Sequence, residues 1–166
     1  MKLLIMSDTH RLTKEISTIK ERHEFDFLIH CGDSELDESA SELKDVQVVK
    51  GNCDHGSQFS EEKIIELHNG IICYITHGHL YDVKRSLEKL SYRAEEHGAD
   101  FCFFGHTHIA GVVTINETVY INPGSLMSPR NRKEKTYVLL ELEDGTYHLT
   151  FYNLKGHVVE ENLLTY

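Results

Sequence analysis

Two histidines separated by one residue, His106 and His108, follow the apolar run 101–104, with Gly105 between run and rings. If the run is a buried strand, both imidazoles emerge where it ends, and binding sites in open α/β folds gather at such ends. The same arrangement occurs four more times. Asp8-Thr9-His10 follows the run 2–6, Gly32-Asp33 follows 25–30, Gly51-Asn52 follows 46–50, and His77 follows 71–75. Each fragment alone has an ordinary explanation. Asp8 could cap a helix, Gly-Asp and Gly-Asn pairs are common in turns, and a lone histidine can be a satisfied strand-end residue. Together, Asp8, His10, Asp33, Asn52, His77, His106 and His108 form a set of oxygen and imidazole donors. Such a set needs no thiolate and suits Mn, Fe, Zn or Ni better than a structural zinc–cysteine site. A single carboxylate, Asp33, could bridge two ions.

Five strand ends must therefore converge, and the apolar patterning suggests how. The run 2–6 reads as a strand, and 12–23 as a helix with Ile16 and Ile19 on its inner face. A strand over 25–30 leads to a second helix through Leu36, Ala40 and Leu43, with Ser34 as its N-cap, and then to a strand over 46–50. This β-α-β order implies parallel strands with right-handed crossovers. The pattern then changes. The arms 63–67 and 71–75 flank Asn69-Gly70, a strong hairpin signal. The stretch 83–97 predicts a helix with Leu87, Leu90 and Ala94 on one face and Gly98 as its stop. Two more hairpins are expected, 111–115 with 119–121 around Asn116 and Glu117, and 137–142 with 147–152 around Asp144-Gly145. Between them Asn122-Pro123-Gly124-Ser125 reads as a turn. From Gly156 onward the chain carries no legible chemistry. The expected fold is α/β: two packed mixed β-sheets flanked by helices, in one domain over 1–166.

Bulk properties narrow the function. A chain of 166 residues buries enough surface to fold without disulfide staples. Cys31, Cys53, Cys73 and Cys102 are scattered and form no CxxC pair, and the opening apolar run is too short for a secretory leader or a membrane span. A cytoplasmic protein with reduced thiols is expected. The formal net charge of −10 argues against a general nucleic-acid binder, which shows a basic face. Homo-oligomerisation is left open, through exposed strands of the last hairpin.

The ordered set Asp8-x-His10, Gly32-Asp33, Gly51-Asn52, His77 and Gly105-His106-x-His108 resembles the calcineurin-like metallophosphoesterases. The resemblance spans residues 3 to about 130. Gly51-Asn52-Cys53-Asp54, His77-Gly78-His79, and Asn122-Pro123-Gly124-Ser125 followed by Pro129-Arg130 are similar to the small single-domain branch. That branch holds bacterial and archaeal phosphodiesterases and the retromer subunit Vps29. The resemblance implies that Asp8, His10 and His108 hold one divalent ion, Asn52, His77 and His106 hold another, and Asp33 bridges them. It implies hydrolysis of a small phosphate ester, a phosphodiester first, by a hydroxide shared between two ions, Mn first and Ni, Fe or Zn as alternatives. Asp33, Asn52 and His79 are then the expected catalytic residues and Arg130 a substrate contact. Many members have histidine after the asparagine where this chain has Cys53, which leaves the leaving-group acid open between His79 and His55. A phosphomonoesterase on the same centre, a protein-binding scaffold of the Vps29 kind and a nuclease of the DNA-repair kind are the competing expectations.

Overall fold

The computed structural model describes residues 1–143 and 145–165. Along the chain the elements are β1 (Lys2–Met6), α1 (Thr13–Arg22), β2 (Phe27–His30), β3 (Val46–Val48), β4 (Glu62–Glu66) and β5 (Ile72–Thr76). There follow α2 (Glu88–Glu96), β6 (Phe101–Phe103), β7 (Gly111–Ile115), β8 (Thr118–Asn122), β9 (Thr136–Glu143), β10 (Thr146–Asn153) and β11 (Val158–Thr165). They build one six-stranded sheet in the order β11-β10-β9-β1-β2-β3 and one five-stranded sheet in the order β4-β5-β6-β8-β7.

Both sheets are mixed, and the parallel part of each serves the site. β1, β2 and β3 run parallel, in the registers Leu4↔Leu28 and Leu28↔Val46. β5, β6 and β8 do likewise, with Cys73↔Phe101 and Phe101↔Val119. Parallel strands send their carboxyl ends to one edge, so each sheet delivers its post-strand loops together.

Side chains divide by face. Leu3, Ile5, Ile29, Phe101, Phe103, Ile121, Val138 and Leu140 fill the space between the sheets. Leu4, Met6 and Leu28 point the other way and meet Ile16 and Ile19 of α1. Tyr74, Cys102 and Tyr120 form the outer face of the second sheet and meet Leu90 and Ala94 of α2. Burying one such leucine or isoleucine side chain contributes about 1.5–3 kcal/mol, and Ala94 roughly 0.8 kcal/mol. The result is the expected α/β sandwich of two mixed sheets with helices outside.

Several expected elements differ. No α-helix follows β2: Ser34 is a loop residue, and only Ser41–Leu43 makes a 3-10 turn. The main chain here is committed elsewhere, since the Ser34 hydroxyl and the Glu35 N–H both donate to the Asp54 carboxylate. Asp37 turns the chain again by accepting from the Ser39 N–H and hydroxyl. The helix expected over 83–97 begins only at Glu88; the residues before it form a turn, in which the Arg85 N–H donates to Asp82 C=O. Asn69-Gly70 does not form a two-residue turn; a 3-10 turn, His68–Gly70, joins β4 to β5, and Leu67 N–H donates to Ile71 C=O. Asn116 and Glu117 both have positive φ and close the β7–β8 hairpin as a type I′ turn does. The expected Asp144 turn residue lies outside the described residues, although its flanking strands β9 and β10 pair throughout. The segment after Gly156 holds an unforeseen strand, β11, which covers β10. The last hairpin is therefore not free to pair between chains; β11 is the exposed edge.

Candidate metal centre

The predicted donors occupy the loops after β1, β2, β3, β5 and β6. Main-chain bonds stitch these loops together: Asp8 N–H donates to Gly32 C=O within one sheet, and Gly105 N–H donates to His77 C=O within the other. Asp8 then joins the sheets, because its Oδ2 accepts from the His106 N–H at 3.1 Å and from the Ser7 hydroxyl at 2.6 Å. Close approach explains two glycines. A Cβ at Gly105 would lie 2.0 Å from Ser7 Oγ, and one at Gly51 would lie 2.1 Å from Asp33 Oδ1.

The backbone is bent to aim these side chains. Asp8, His10, Asp33, His106 and His108 all have positive φ, a conformation that costs a non-glycine residue about 1–2 kcal/mol. Such strain at the residues with chemistry to offer points to function.

The predicted donors converge on two overlapping groups, and His10 also lies in a third with Glu35 and Cys53. Asp8, His10 and His108 each place a ligand atom within 4.8 Å of the others, and so do Asp8, Asp33 and His77. Hydrogen bonds fix the ring tautomers. His77 Nδ1 donates to Cys31 C=O at 2.7 Å, and His108 Nδ1 donates to Ser128 C=O at 2.7 Å. In the neutral rings both Nε2 atoms then carry lone pairs, and both face carboxylates. His108 Nε2 lies 3.1 Å from Asp8 Oδ1, while His77 Nε2 lies 3.4 Å from Asp33 Oδ2 and 3.9 Å from Asp8 Oδ1. Neither Asp8 Oδ1 nor His77 Nε2 makes a hydrogen bond, although both are buried. A lone pair facing a lone pair in a dry pocket is costly without a positive charge between them. Divalent ions fit that requirement and the donor set.

The titration pattern has the same origin. Burial disfavours a charged His77, but the carboxylates of Asp33 and Asp8 outweigh it and raise its pKa. Burial likewise opposes ionisation of Asp33, and the His77 ring with the Cys53 N–H holds its carboxyl well below the usual range. Asp8 raises His108 against the effect of burial. His106 moves the other way, down to about 4, through burial and the neighbouring His77.

Two predicted donors stand apart. Asn52 is exposed and its amide donates to Cys53 Sγ at 3.2 Å. His106 packs edge-on against His77, with ring centroids 5.1 Å apart, rather than joining either donor group. His79 sits beside them, 5.3 Å from the His77 ring and 6.1 Å from that of His106, with Nε2 3.9 Å from Glu61. Burial and His77 lower its pKa. Burial, followed by Asp33, pushes the Cys53 thiol up to about 11. His55 is exposed and lines a cleft of about 320 Å³ with Arg11, Glu35, Asp37, Glu38 and Cys53. Arg130 is exposed, and its main-chain N–H donates to His108 C=O. Arg132 pairs with Glu160 at 2.9 Å and is structural.

Three residues outside the predicted donor set support it, and of these sequence reasoning missed His30 and Glu35. Asp54 accepts from the N–H groups of Asp33, Gly51 and Glu35 and from the Ser34 hydroxyl, and so shapes two loops at once. His30 is fully buried between Thr9 and Gly32. Glu35 accepts from His10 Nδ1 at 2.5 Å. Asp54 was legible as the last residue of Gly51-Asn52-Cys53-Asp54, able to orient a ligand; Glu35, His30 and the carbonyls of Cys31 and Ser128 could not be found from residue type.

Comparison with known proteins agrees with this geometry. The calcineurin-like phosphoesterase superfamily domain matches residues 1–145. The probable metallophosphoesterase YsnB of Bacillus subtilis is 44% identical over 163 residues, covering 97% of this chain and 96% of YsnB. A predicted phosphoesterase from Streptococcus pneumoniae superposes with a TM-score of 0.94 at 29% identity, over 99% of this chain and 97% of that one. Wild-type Vps29 from Entamoeba histolytica, complexed with zinc, shares the fold at a TM-score of 0.81 and 21% identity, over 99% of each chain. The chain belongs to the calcineurin-like phosphoesterase superfamily, a family of metal-dependent hydrolases.

Proposed function

We propose that this protein hydrolyses small phosphate esters, diesters ahead of monoesters, at a dinuclear metal centre. The observation that carries the reading is the buried lone-pair confrontation between His77 Nε2, Asp8 and Asp33. Asp8, His10 and His108 are the proposed ligands of one ion and Asn52, His77 and His106 of the other, with Asp33 common to both. Manganese is the first candidate, with Ni, Fe and Zn as alternatives. When bound, such ions lower the pKa of water and offset charge on the phosphoryl oxygens.

The chain's own groups then have these roles. Asp33 is oriented by the Cys53 N–H on its Oδ1, which leaves Oδ2 for the pocket. Asn52 joins by exchanging its contact with Cys53 Sγ for the centre, a side-chain rotation at an exposed position. A neutral Cys53 thiol is a weak hydrogen-bond donor, so it serves poorly as leaving-group acid. His79 takes that role, with Glu61 on its far side, and Arg130 is the proposed phosphate contact. The acidic cleft beside the centre repels the second charge of a monoester, which supports the diester preference. A cytoplasmic location and a single domain over 1–166 complete the proposal.

The test is a panel of aryl and alkyl phosphodiesters and monoesters, with Mn and the alternatives, on wild type and Asp33→Asn. We expect aryl diesters to react fastest, because the acid is weak, and Asp33→Asn to lose at least ~100-fold. No turnover of any ester by metal-loaded protein, with a co-purifying protein partner, would favour a binding scaffold instead.

A further inference from the structure

Glu35 was not among the expected site residues, yet among the described residues its side chain is the carboxylate that holds the Nδ1 of a candidate ligand ring. Its Oε1 lies 2.5 Å from His10 Nδ1 and its Oε2 lies 3.2 Å from Arg11 Nε. A carboxylate can only accept, so Nδ1 carries the ring proton and Nε2 keeps the lone pair. His77 and His108 have the same tautomer, but main-chain carbonyls hold theirs. A charged acceptor makes a stronger bond than a carbonyl and makes the opposite nitrogen a better donor.

The loop is built to present this contact. Glu35 has a φ of 51°, in the left-handed region, and its N–H donates to Asp54 Oδ1 at 2.7 Å. The same Asp54 carboxylate accepts from Asp33 N–H at 2.8 Å. One buried acid thus sets both the shared carboxylate and Glu35, while the Glu35 side chain remains free to hold His10. His10 itself has a φ of 42°, so its ring is not positioned by a regular element.

We propose that Glu35 is a positioning residue for the His10 side of the centre, fixing the His10 tautomer and strengthening its hold on the ion shared with Asp8 and His108. This rests on the metal-centre reading above. It assigns to the two sub-sites different dependence on one side chain outside the predicted donor set.

The experiment is equilibrium dialysis of metal-free wild type, Glu35→Gln and Glu35→Ala against Mn²⁺ and, separately, Co²⁺. Bound ion is counted by emission spectrometry, Co²⁺ absorption bands are recorded, and circular dichroism confirms the fold. Wild type is expected to bind two ions. In both variants one ion is expected to weaken by about 10–100-fold and the other to stay within about threefold, with a change in the Co²⁺ bands of the weakened site. Unchanged affinity for both ions in Glu35→Gln and Glu35→Ala would overturn the inference. So would equal weakening of both, which would mean that the variants disturb the Asp33 loop. Wild type that binds no divalent ion would instead overturn the metal-centre reading itself.

Discussion

At the scale of single residues, the candidate donors are prepared by their neighbours more than by their own type. His77 is a ligand candidate because a main-chain carbonyl takes its Nδ1 proton; His30, equally buried, is not, because both its nitrogens are used. Gly32 N–H donates to His30 Nδ1, so Nε2 carries the proton to Thr9 Oγ1 at 3.0 Å. Burial brings its pKa down to about 4 from 6.5, and a second proton would set N–H against N–H. The sign follows from that lowering. The folded ring stays neutral while the unfolded ring takes a proton, so stability is intact above about pH 6.5 and falls as pH drops toward 4. Metal-free protein is expected to lose about 2 kcal/mol from this group between pH 7.5 and pH 5, at 1.36 kcal/mol per pKa unit. Urea unfolding at the two pH values measures it, and His30→Gln should show a pH dependence smaller by that amount.

At the scale of elements, strand ends were legible and the loops between them were not. The runs ending at Met6, His30, Thr76 and Phe103 are short and mostly apolar, with an Asp or His within three residues beyond each, and each became a strand with its donors beyond it. Leu36, Ala40 and Leu43 repeat at helical spacing as well, but spacing cannot reveal that the local N–H groups are engaged by Asp54 and Asp37. β11 escaped because its apolar residues come in pairs, Val158-Val159 and Leu163-Leu164, and because a bulge at Phe151/Tyr152 shifts its register. Its identity as a strand depends on pairing with β10, which no local pattern encodes. The loops also carry the tightest fit. Gly105→Ala would drive a methyl into Ser7 Oγ and to 2.6 Å from Asp8 Oδ2. We expect it to cost about 1–3 kcal/mol in thermal or urea unfolding and to weaken ion binding measurably, whereas Gly111→Ala, with open space around it, should do neither.

At the scale of the molecule, the candidate donors lie along the seam between two sheets. Asp8, His10, Asp33 and Asn52 come from the six-stranded sheet, and His77, His106 and His108 from the five-stranded one. Ions held by both would therefore join layers otherwise held by apolar packing and the Asp8–His106 hydrogen bond. An ion at about 100 times its dissociation constant adds about 2.7 kcal/mol. For a chain of this length that corresponds to a melting temperature roughly 5–10 °C higher. Scanning calorimetry with manganese and then with excess chelator should show that difference, and Asp33→Asn should show almost none.

The left-handed turns at Asp8, His10, Asp33, His106 and His108 have an evolutionary corollary. Any descendant that keeps the architecture but abandons its reaction can relax His10 and His106 to glycine or asparagine and become hardier, while Asp8 and Asp33 stay tied to main-chain N–H groups. A descendant that stays active is denied that route, so heat tolerance must come to it through the outer helices and the far edges of the sheets.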